Sequence, residues 1–232
     1  MFCTNPSGVS FPATRSCNSG LNAFAEMLVV LVDAYSPLLT SLVVDNVDGA
    51  YQAVKCLIEH GHRRIGFING IVEGNFRFNQ ANDRLIGLHR ALGEVGLLFE
   101  PELVLTAEWD RQAGKQAALQ LLTRANRPTA IFAASDIQAV GVLEAARSLH
   151  LAVPGDLSLI GYDGIELSEL LELSTIQQPI KYMGELGMQK LLAQMERAVE
   201  SESTPELVRL RPNLLLRQTI TALPTVSEAS NR

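Results

Sequence analysis

The sequence predicts an α/β protein built on doubly wound parallel sheets. Short apolar runs recur along the chain, and stretches with helical periodicity lie between them. Runs that are apolar at nearly every position are typical of strands buried on both faces, as in parallel sheets covered by helices. The six runs are LVVLV (28–32), LVV (42–44), RIGFI (64–68), LVLTAE (103–108), TAIFAA (129–134) and LSLIGY (157–162).

The helical stretches follow these runs and end at suitable residues. After Asp45 an apolar stripe extends to Gly61, and glycine commonly ends helices. The stretch 82–96 predicts a second helix, since apolar residues recur there at helical spacing. Its predicted apolar face consists of Leu85, Leu88, Leu92 and Val95.

Polar residues and spacing define the later helices. Asp110 and Asp136 precede helical stretches and are predicted to be their N-caps. A long helix is expected over 180–199, and two edge strands are expected around 206–217. Strand and helix therefore alternate along most of the chain, as a parallel sheet requires.

Each apolar run stops at a side chain able to hold a ligand. Ligands of doubly wound sheets lie beyond the carboxyl ends of the strands, so these side chains are expected at one sheet edge. Carboxylate, amide, hydroxyl and indole groups suit a small, uncharged molecule rich in hydroxyls. The six residues are Asp33, Asp45, Asn69, Trp109, Ser135 and Asp163.

Composition narrows the functional class. The 232 residues carry a net charge of −6, and 47% of them are hydrophobic, which is ample for a core. An acidic chain without a clustered basic face is not expected to bind nucleic acid by itself. No apolar stretch approaches the roughly 20 residues of a membrane span, so no membrane association is expected.

The cysteines and histidines indicate neither a metal nor a cofactor. Three cysteines lack metal-site spacing and form no even disulfide set, which suits a reducing compartment and predicts a cytoplasmic protein. His60 and His62 lie at a helix end, where a cation favours the helix dipole. We expect no metal and no cofactor.

Five segments in succession resemble the effector-binding core of LacI/GalR-type bacterial transcription regulators. The resemblance extends from about Val29 to Arg217. The segments are HGHRRIGFING (60–70), RLIGLHRAL (84–92), RPTAIFAASDIQAVGVL (127–143), VPGDLSLIGYD (153–163) and STIQQP (174–179).

The resemblance implies a fold and a mechanism. The family core has two lobes of the periplasmic-binding-protein type I fold, with a sugar or, less often, a purine in the cleft between them. A helix-turn-helix headpiece precedes the core and reads operator DNA. Ligand-driven closure is passed to a dimer, so an allosteric repressor is expected, although an activator is left open.

The resemblance also implies a ligand site. Arg84 matches a ligand-contacting arginine at the start of its helix, where a cation opposes the helix dipole. Asp163 matches an acceptor of ligand hydroxyls, with a cap on the segment 165–171 as its alternative. Trp109 matches an aromatic residue that stacks on the ligand ring, with a core position as its alternative.

Three weaker positions complete the implied site. Asp33 and Ser135 match cleft positions that bond ligand hydroxyls, although ordinary capping or turn chemistry explains both equally well. Gln178 matches a polar residue at a crossing between lobes, where a hinge hydrogen bond is the alternative.

Departures from the family pattern predict a partial domain. No helix-turn-helix is found, and we expect the early part of the amino-terminal lobe to be missing, whether naturally or through a gene-model error. The carboxyl-terminal lobe is assigned to 47–178 and 211–221. The remnant of the other lobe is assigned to 28–46 and 179–210. Segment 1–27 is expected to be disordered, and 222–232 is expected to form a tail.

Two other functional classes fit the sequence less well than a regulator core. A sugar-binding protein of a transport system shares the fold, but the first residues make a poor secretion signal. An enzyme is not expected, because the sequence lacks a phosphate-binding loop and pairs no nucleophile with a base. Missing strands would leave unpaired sheet edges, so a dimer or aggregation is expected.

Overall fold

The computed structural model describes residues 2–4, 10–12, 28–71, 80–197 and 204–223. The strands are β1 (Phe2–Thr4), β2 (Ser10–Pro12), β3 (Val30–Val32), β4 (Thr40–Val44), β5 (Ile65–Gly70), β6 (Val104–Ala107), β7 (Ala130–Ala133), β8 (Ser158–Asp163), β9 (Thr175–Gln177), β10 (Leu207–Leu210) and β11 (Asn213–Leu215). The helices are α1 (Asn46–Glu59), α2 (Gln80–Glu94), α3 (Arg111–Leu122), α4 (Asp136–Ser148), α5 (Glu166–Leu170) and α6 (Ile180–Arg197). All six apolar runs form strands, as predicted.

A six-stranded sheet forms the larger part of the fold. Its strand order is β11-β9-β8-β7-β5-β6, and every pair is parallel except β11 with β9. Helices α1 and α2 contribute to the apolar core on one face, where Phe67 and Phe132 stack with ring centroids 4.9 Å apart. Helices α3 and α4 cover Ile68 and Ile131 on the other face. Both faces are buried, which explains the continuously apolar strands.

A separate three-stranded sheet has the order β10-β4-β3, with parallel pairing throughout. Helix α6 packs against β3, and an added methyl group on Gly187 would lie 2.9 Å from Val32. The chain passes from this sheet to α1 at Asp45. The predicted parallel α/β class is confirmed, and the six runs are shared between two sheets.

The helix ends agree with the predictions in two cases. Asp45 caps α1 by accepting from the Asp48 amide at 3.0 Å, and Gly61 follows with φ +90°. Asp110 caps α3 by accepting from the Ala113 amide at 2.9 Å. The other predicted cap, Asp136, is wrong, because Ser135 caps α4 by accepting from the Gln138 amide at 3.1 Å.

Helix α2 differs from its prediction in its buried face. Val95 lies beyond the helix and is 53% exposed, so its assignment to the apolar face was wrong. The buried stripe instead includes Gly87, where an added methyl group would lie 2.4 Å from the Val47 carbonyl oxygen of α1. Close contact with α1 therefore decides which face of α2 turns inward. Arg84 lies on that face in the second turn, not in the first turn as expected.

Within the segment 1–27, strands β1 and β2 pair antiparallel. The rest of that segment, and 224–232 of the predicted tail, lie outside the described residues. None of the described helices combines the length and apolar character that a membrane crossing requires.

Candidate functional site

A buried arginine lies at the carboxyl edge of the large sheet. The Arg84 side chain is only 2% exposed. Its Nε donates to Asn46 Oδ1 at 2.9 Å, and its Nη1 donates to the Ala134 carbonyl oxygen. The guanidinium lies 3.6 Å from the centroid of the Tyr162 ring, within cation–π range. Three anchors therefore fix Arg84, and Nη2 faces Asp163.

Asp163 ends β8 beside Arg84. Its Oδ1 lies 4.0 Å from Arg84 Nη2, longer than a hydrogen bond, and accepts from Gln178 Nε2 at 2.6 Å. Burial raises the pKa of Asp163 from 3.8 to about 6, against the opposing effects of Arg84 and Gln178. Asp163 does not cap α5, since Ile165 holds that position without a side-chain bond.

Trp109 follows β6 and lies across the end of β5. Its Nε1 donates to the Ile71 carbonyl oxygen at 3.0 Å, and its ring lies 5.6 Å from the Arg84 guanidinium. An added methyl group on Gly70 would lie 1.9 Å from the indole, so the ring rests directly on the glycine backbone. Because Trp109 is 36% exposed, it lies at the surface of the site and not in the core.

Asp33 lies at the end of β3, in the small sheet. It has φ +58°, an uncommon conformation for a residue with a side chain, and its Oδ2 accepts from Gln80 Nε2 at 2.7 Å. Burial raises its pKa, while the positive charge of Arg84 and the bond from Gln80 lower it. Asp33 is thus within electrostatic reach of Arg84 and is tied to the start of α2.

Ser135 and Gln178 both have structural bonds. Ser135 is 5% exposed, and its Oγ is the cap acceptor of α4 described above. Gln178 donates from its side chain to Asp163 and from its amide to the Asp163 carbonyl oxygen at 3.0 Å. Capping, the alternative for Ser135, is therefore present. Gln178 bonds to the end of β8 in the large sheet, and a ligand contact by either residue stays a prediction.

Sequence reasoning missed several residues around Arg84. Asn46 was not selected from the sequence, although it follows Asp45 at a strand end. Tyr162 was treated as strand core. Gln138 is fully buried, and its Nε2 donates to the Glu108 carbonyl oxygen at 2.9 Å, next to Trp109. Strand-end position was the available signal for Asn46, whereas no sequence signal singled out Gln138.

A cavity with a volume of about 580 Å³ lies to one side of this cluster. Asp33 and Gln80 contribute to its wall, but Arg84 and Asp163 do not. Its other lining residues include Val43, Leu207 and Arg209, from the small-sheet face. Convergent polar groups, and not cavity size, therefore define the candidate site. Among the residues the structure describes, no group of three or more His, Cys, Asp or Glu side chains could hold a metal.

The parallel sheets with polar strand ends define a periplasmic-binding-protein type of architecture, and residues 54–220 match the family model for a periplasmic binding protein-like domain. The chain belongs to this family. A ribose operon repressor of Haemophilus influenzae is 37% identical over 199 residues, which cover 84% of this chain and 58% of the relative. The HTH-type transcriptional repressor PurR of Shigella sonnei is 35% identical over 184 residues, covering 78% of this chain and 52% of the relative.

A solved structure of a LacI-family protein is also similar to this chain. A regulatory protein of the LacI family from Chloroflexus aggregans superposes with a TM-score of 0.76 at 28% identity, covering 90% of this chain and 74% of that one. These similarities confirm the LacI-type resemblance and favour a regulator over a transport protein or an enzyme. The chain spans a little over half the length of the curated relatives it matches.

Proposed function

We propose that the chain is the effector-binding core of a LacI/GalR-type transcriptional repressor and binds a sugar at Arg84, Trp109 and Asp163. Asp33, Ser135 and Gln178 complete the proposed site. The relatives that carry the same domain are repressors, one of them of a ribose operon. The proposed location is the cytoplasm, where operator DNA is found.

The main support for sugar binding is the distance between the Arg84 and Asp163 side chains. A donor and an acceptor lie 4.0 Å apart without a direct hydrogen bond. A hydroxyl group both donates and accepts, so one sugar hydroxyl can bond to both side chains. The exposed face of Trp109 suits the C–H face of a sugar ring. A purine is the second candidate, because a relative of similar identity is a purine-type repressor by name.

A ligand between the two sheets would act through differential affinity. Asp33 comes from the small sheet, whereas Arg84 and Asp163 are anchored on the large one. A ligand that bonds to both favours the arrangement in which they are close. In the longer relatives such a change would be coupled to a DNA-reading segment.

The proposal is tested by thermal shift and calorimetry with D-ribose, cellobiose, hypoxanthine and guanine. We expect a sugar to stabilise the protein by about 2.7 kcal/mol at 100 times its dissociation constant. Asp163→Asn should weaken that binding by roughly 1–3 kcal/mol, because one charged acceptor is lost. Asp156→Asn, an exposed position away from the site, is the matched control. Binding of purines alone, or equal sugar binding by both variants, would contradict the proposal.

The 232-residue chain is not expected to bind operator DNA specifically. Its net charge is −6, and it contains no helix-turn-helix pattern. Gel-shift titration at moderate salt should show no complex that survives excess competitor DNA. A sequence-specific complex that persists would show that this chain reads DNA without a recognisable headpiece.

We infer that the partner of the small sheet is a second copy of the chain. Among the described strands, β3 lies at one edge of its sheet, and Val32 on it is 47% exposed. Met188, Leu192 and Met195 on α6 recur at helical spacing and are each at least half exposed. Sedimentation analysis should therefore show a dimer, and Leu192→Glu should yield monomer. A monomeric parent would refute the inference.

A further inference from the structure

The carboxylate of Asp136 is almost completely buried yet fully bonded. Asp136 is 1% exposed and lies in the first turn of α4. Its Oδ1 accepts from Thr175 Oγ1 at 2.6 Å, and its Oδ2 accepts from the amides of Gly164 and Ile165 at 2.8 and 2.9 Å. Three donors thus offset part of the cost of desolvating this carboxylate, although burial still raises its pKa.

The three donors lie on the two segments that carry the acidic end of the proposed site. Gly164 and Ile165 directly follow Asp163, and Thr175 begins β9, which leads to Gln178. Strand β8 leaves room for the carboxylate, since an added methyl group on Gly161 would lie 2.3 Å from Asp136 Oδ1. The carboxylate therefore links α4, the end of β8 and the start of β9.

The backbone between these segments needs such support. Asp163 has φ +115° and Gly164 has φ +72°. Positive φ is unfavourable for a residue with a side chain, and it persists only where the surrounding structure imposes it. The bonds that the Gly164 and Ile165 amides donate to Asp136 hold the backbone directly after Asp163 in place.

We propose that Asp136 is a positioning residue that holds the Asp163 carboxylate in its ligand-binding orientation. The role in ligand binding rests on the proposed function, whereas the effect on Asp163 itself does not. The charged groups that face Asp163 are the guanidinium of Arg84 on α2 and the carboxylate of Asp136 on α4. Gln178, after β9, is uncharged.

The single tryptophan permits a test on the ligand-free protein. Trp109 lies 5.6 Å from Arg84, which faces Asp163, so its fluorescence should change as Asp163 titrates. The fluorescence transition is expected near pH 6. Its loss in Asp163→Asn would assign the transition to the Asp163 carboxylate. Asp136→Asn removes a like charge and loosens the turn, so the midpoint should fall by about one pH unit.

Gln138→Ala is the matched control, because Gln138 is equally buried in the same turn of α4 but bonds to the strand ends near Trp109. It should leave the midpoint unchanged. An unchanged midpoint in Asp136→Asn, or an equal shift in Gln138→Ala, would overturn the positioning role.

Hydrogen exchange provides a second measurement should Asp136→Asn fold poorly. Thr175→Val removes one donor and keeps the Asp136 charge, so the amides of Gly164 and Ile165 should exchange about three times faster than in the parent. Gln138→Ala should leave their exchange unchanged. Equal exchange in Thr175→Val and the parent would overturn the proposal.

Calorimetry with D-ribose and cellobiose separates this proposal from the functional one. If a sugar binds, Asp136→Asn should weaken its affinity about tenfold, while the control Gln138→Ala should weaken it less. If no sugar binds but the Gly164 and Ile165 amides exchange faster in Thr175→Val, the sugar-binding proposal is refuted and the positioning role of Asp136 is supported. Unchanged sugar affinity in Asp136→Asn would overturn the positioning role.

Discussion

Gly141→Ala is expected to destabilise the protein by about 3 kcal/mol, the upper end of the costs of overpacking a core. Helices α3 and α4 meet at this glycine, where an added methyl group would lie 2.2 Å from the Arg111 carbonyl oxygen and 2.5 Å from the Lys115 amide nitrogen. Backbone atoms cannot rotate away as a flexible side chain can, so the two helices must separate. The melting temperature should fall by about 6–12 °C for a chain of this size.

Gly93→Ala is the matched control for this substitution. Gly93 also lies in a helix, but a methyl group there would meet no atom within 4 Å. Alanine is favoured over glycine in helices, so this variant should be unchanged or more stable by up to about 1 kcal/mol. Thermal and urea unfolding of both variants measure the difference. Similar stability of Gly141→Ala and the parent would show that α3 and α4 do not pack this closely.

The strands were predictable because burial on both faces leaves a simple signature. LSLIGY and TAIFAA are apolar at nearly every position, and they form the central strands β8 and β7. Which run joins which sheet is not encoded in any single run. That the first two runs form a separate sheet with β10, which is distant in sequence, was implied only by the family resemblance.

Two predictions about helix ends were wrong: the N-cap of α4 and the last residue on the buried face of α2. Ser135 and Asp136 are both good caps, and only the extended backbone of Ser135, with φ −144° and ψ 157°, decides between them. Val95 continues an apolar period past the last residue of α2, and periodicity does not show where tertiary contact stops.

The sequence predicts that the residues of the candidate site lie at strand ends. It does not predict the hydrogen bonds and ring contacts among them. Arg84 was selected by resemblance, and periodicity alone would not place a charged residue on the buried face of α2. Its burial depends on Asn46, Tyr162 and the Ala134 carbonyl oxygen, which come from three different elements. These contacts form only when the three elements pack together, so no local sequence pattern predicts them.

Arg84→Ala is expected to abolish ligand binding and to destabilise the protein by about 3 kcal/mol, a typical cost of removing one partner of a buried charged pair. The substitution leaves Asn46 Oδ1 and the Ala134 carbonyl oxygen without their donor and removes the positive charge beside Asp163. Arg90→Ala on the same helix is the control, since Arg90 is exposed and pairs with Glu94 at the surface. Urea unfolding should show a cost below about 1 kcal/mol there.

The cost of Arg84→Ala should also depend on pH, with a sign that the charges fix. Arg84 lowers the pKa of Asp163, so its removal moves that pKa above the parent value of about 6. Between the unfolded value of 3.8 and the folded value, the native state binds more protons than the unfolded state, so stability falls as pH rises. In Arg84→Ala this fall extends to higher pH, and the loss of stability should be larger at pH 8 than at pH 5. A loss that is equal at both values would mean that Arg84 supports this site by packing alone and not as the counter-charge of Asp163.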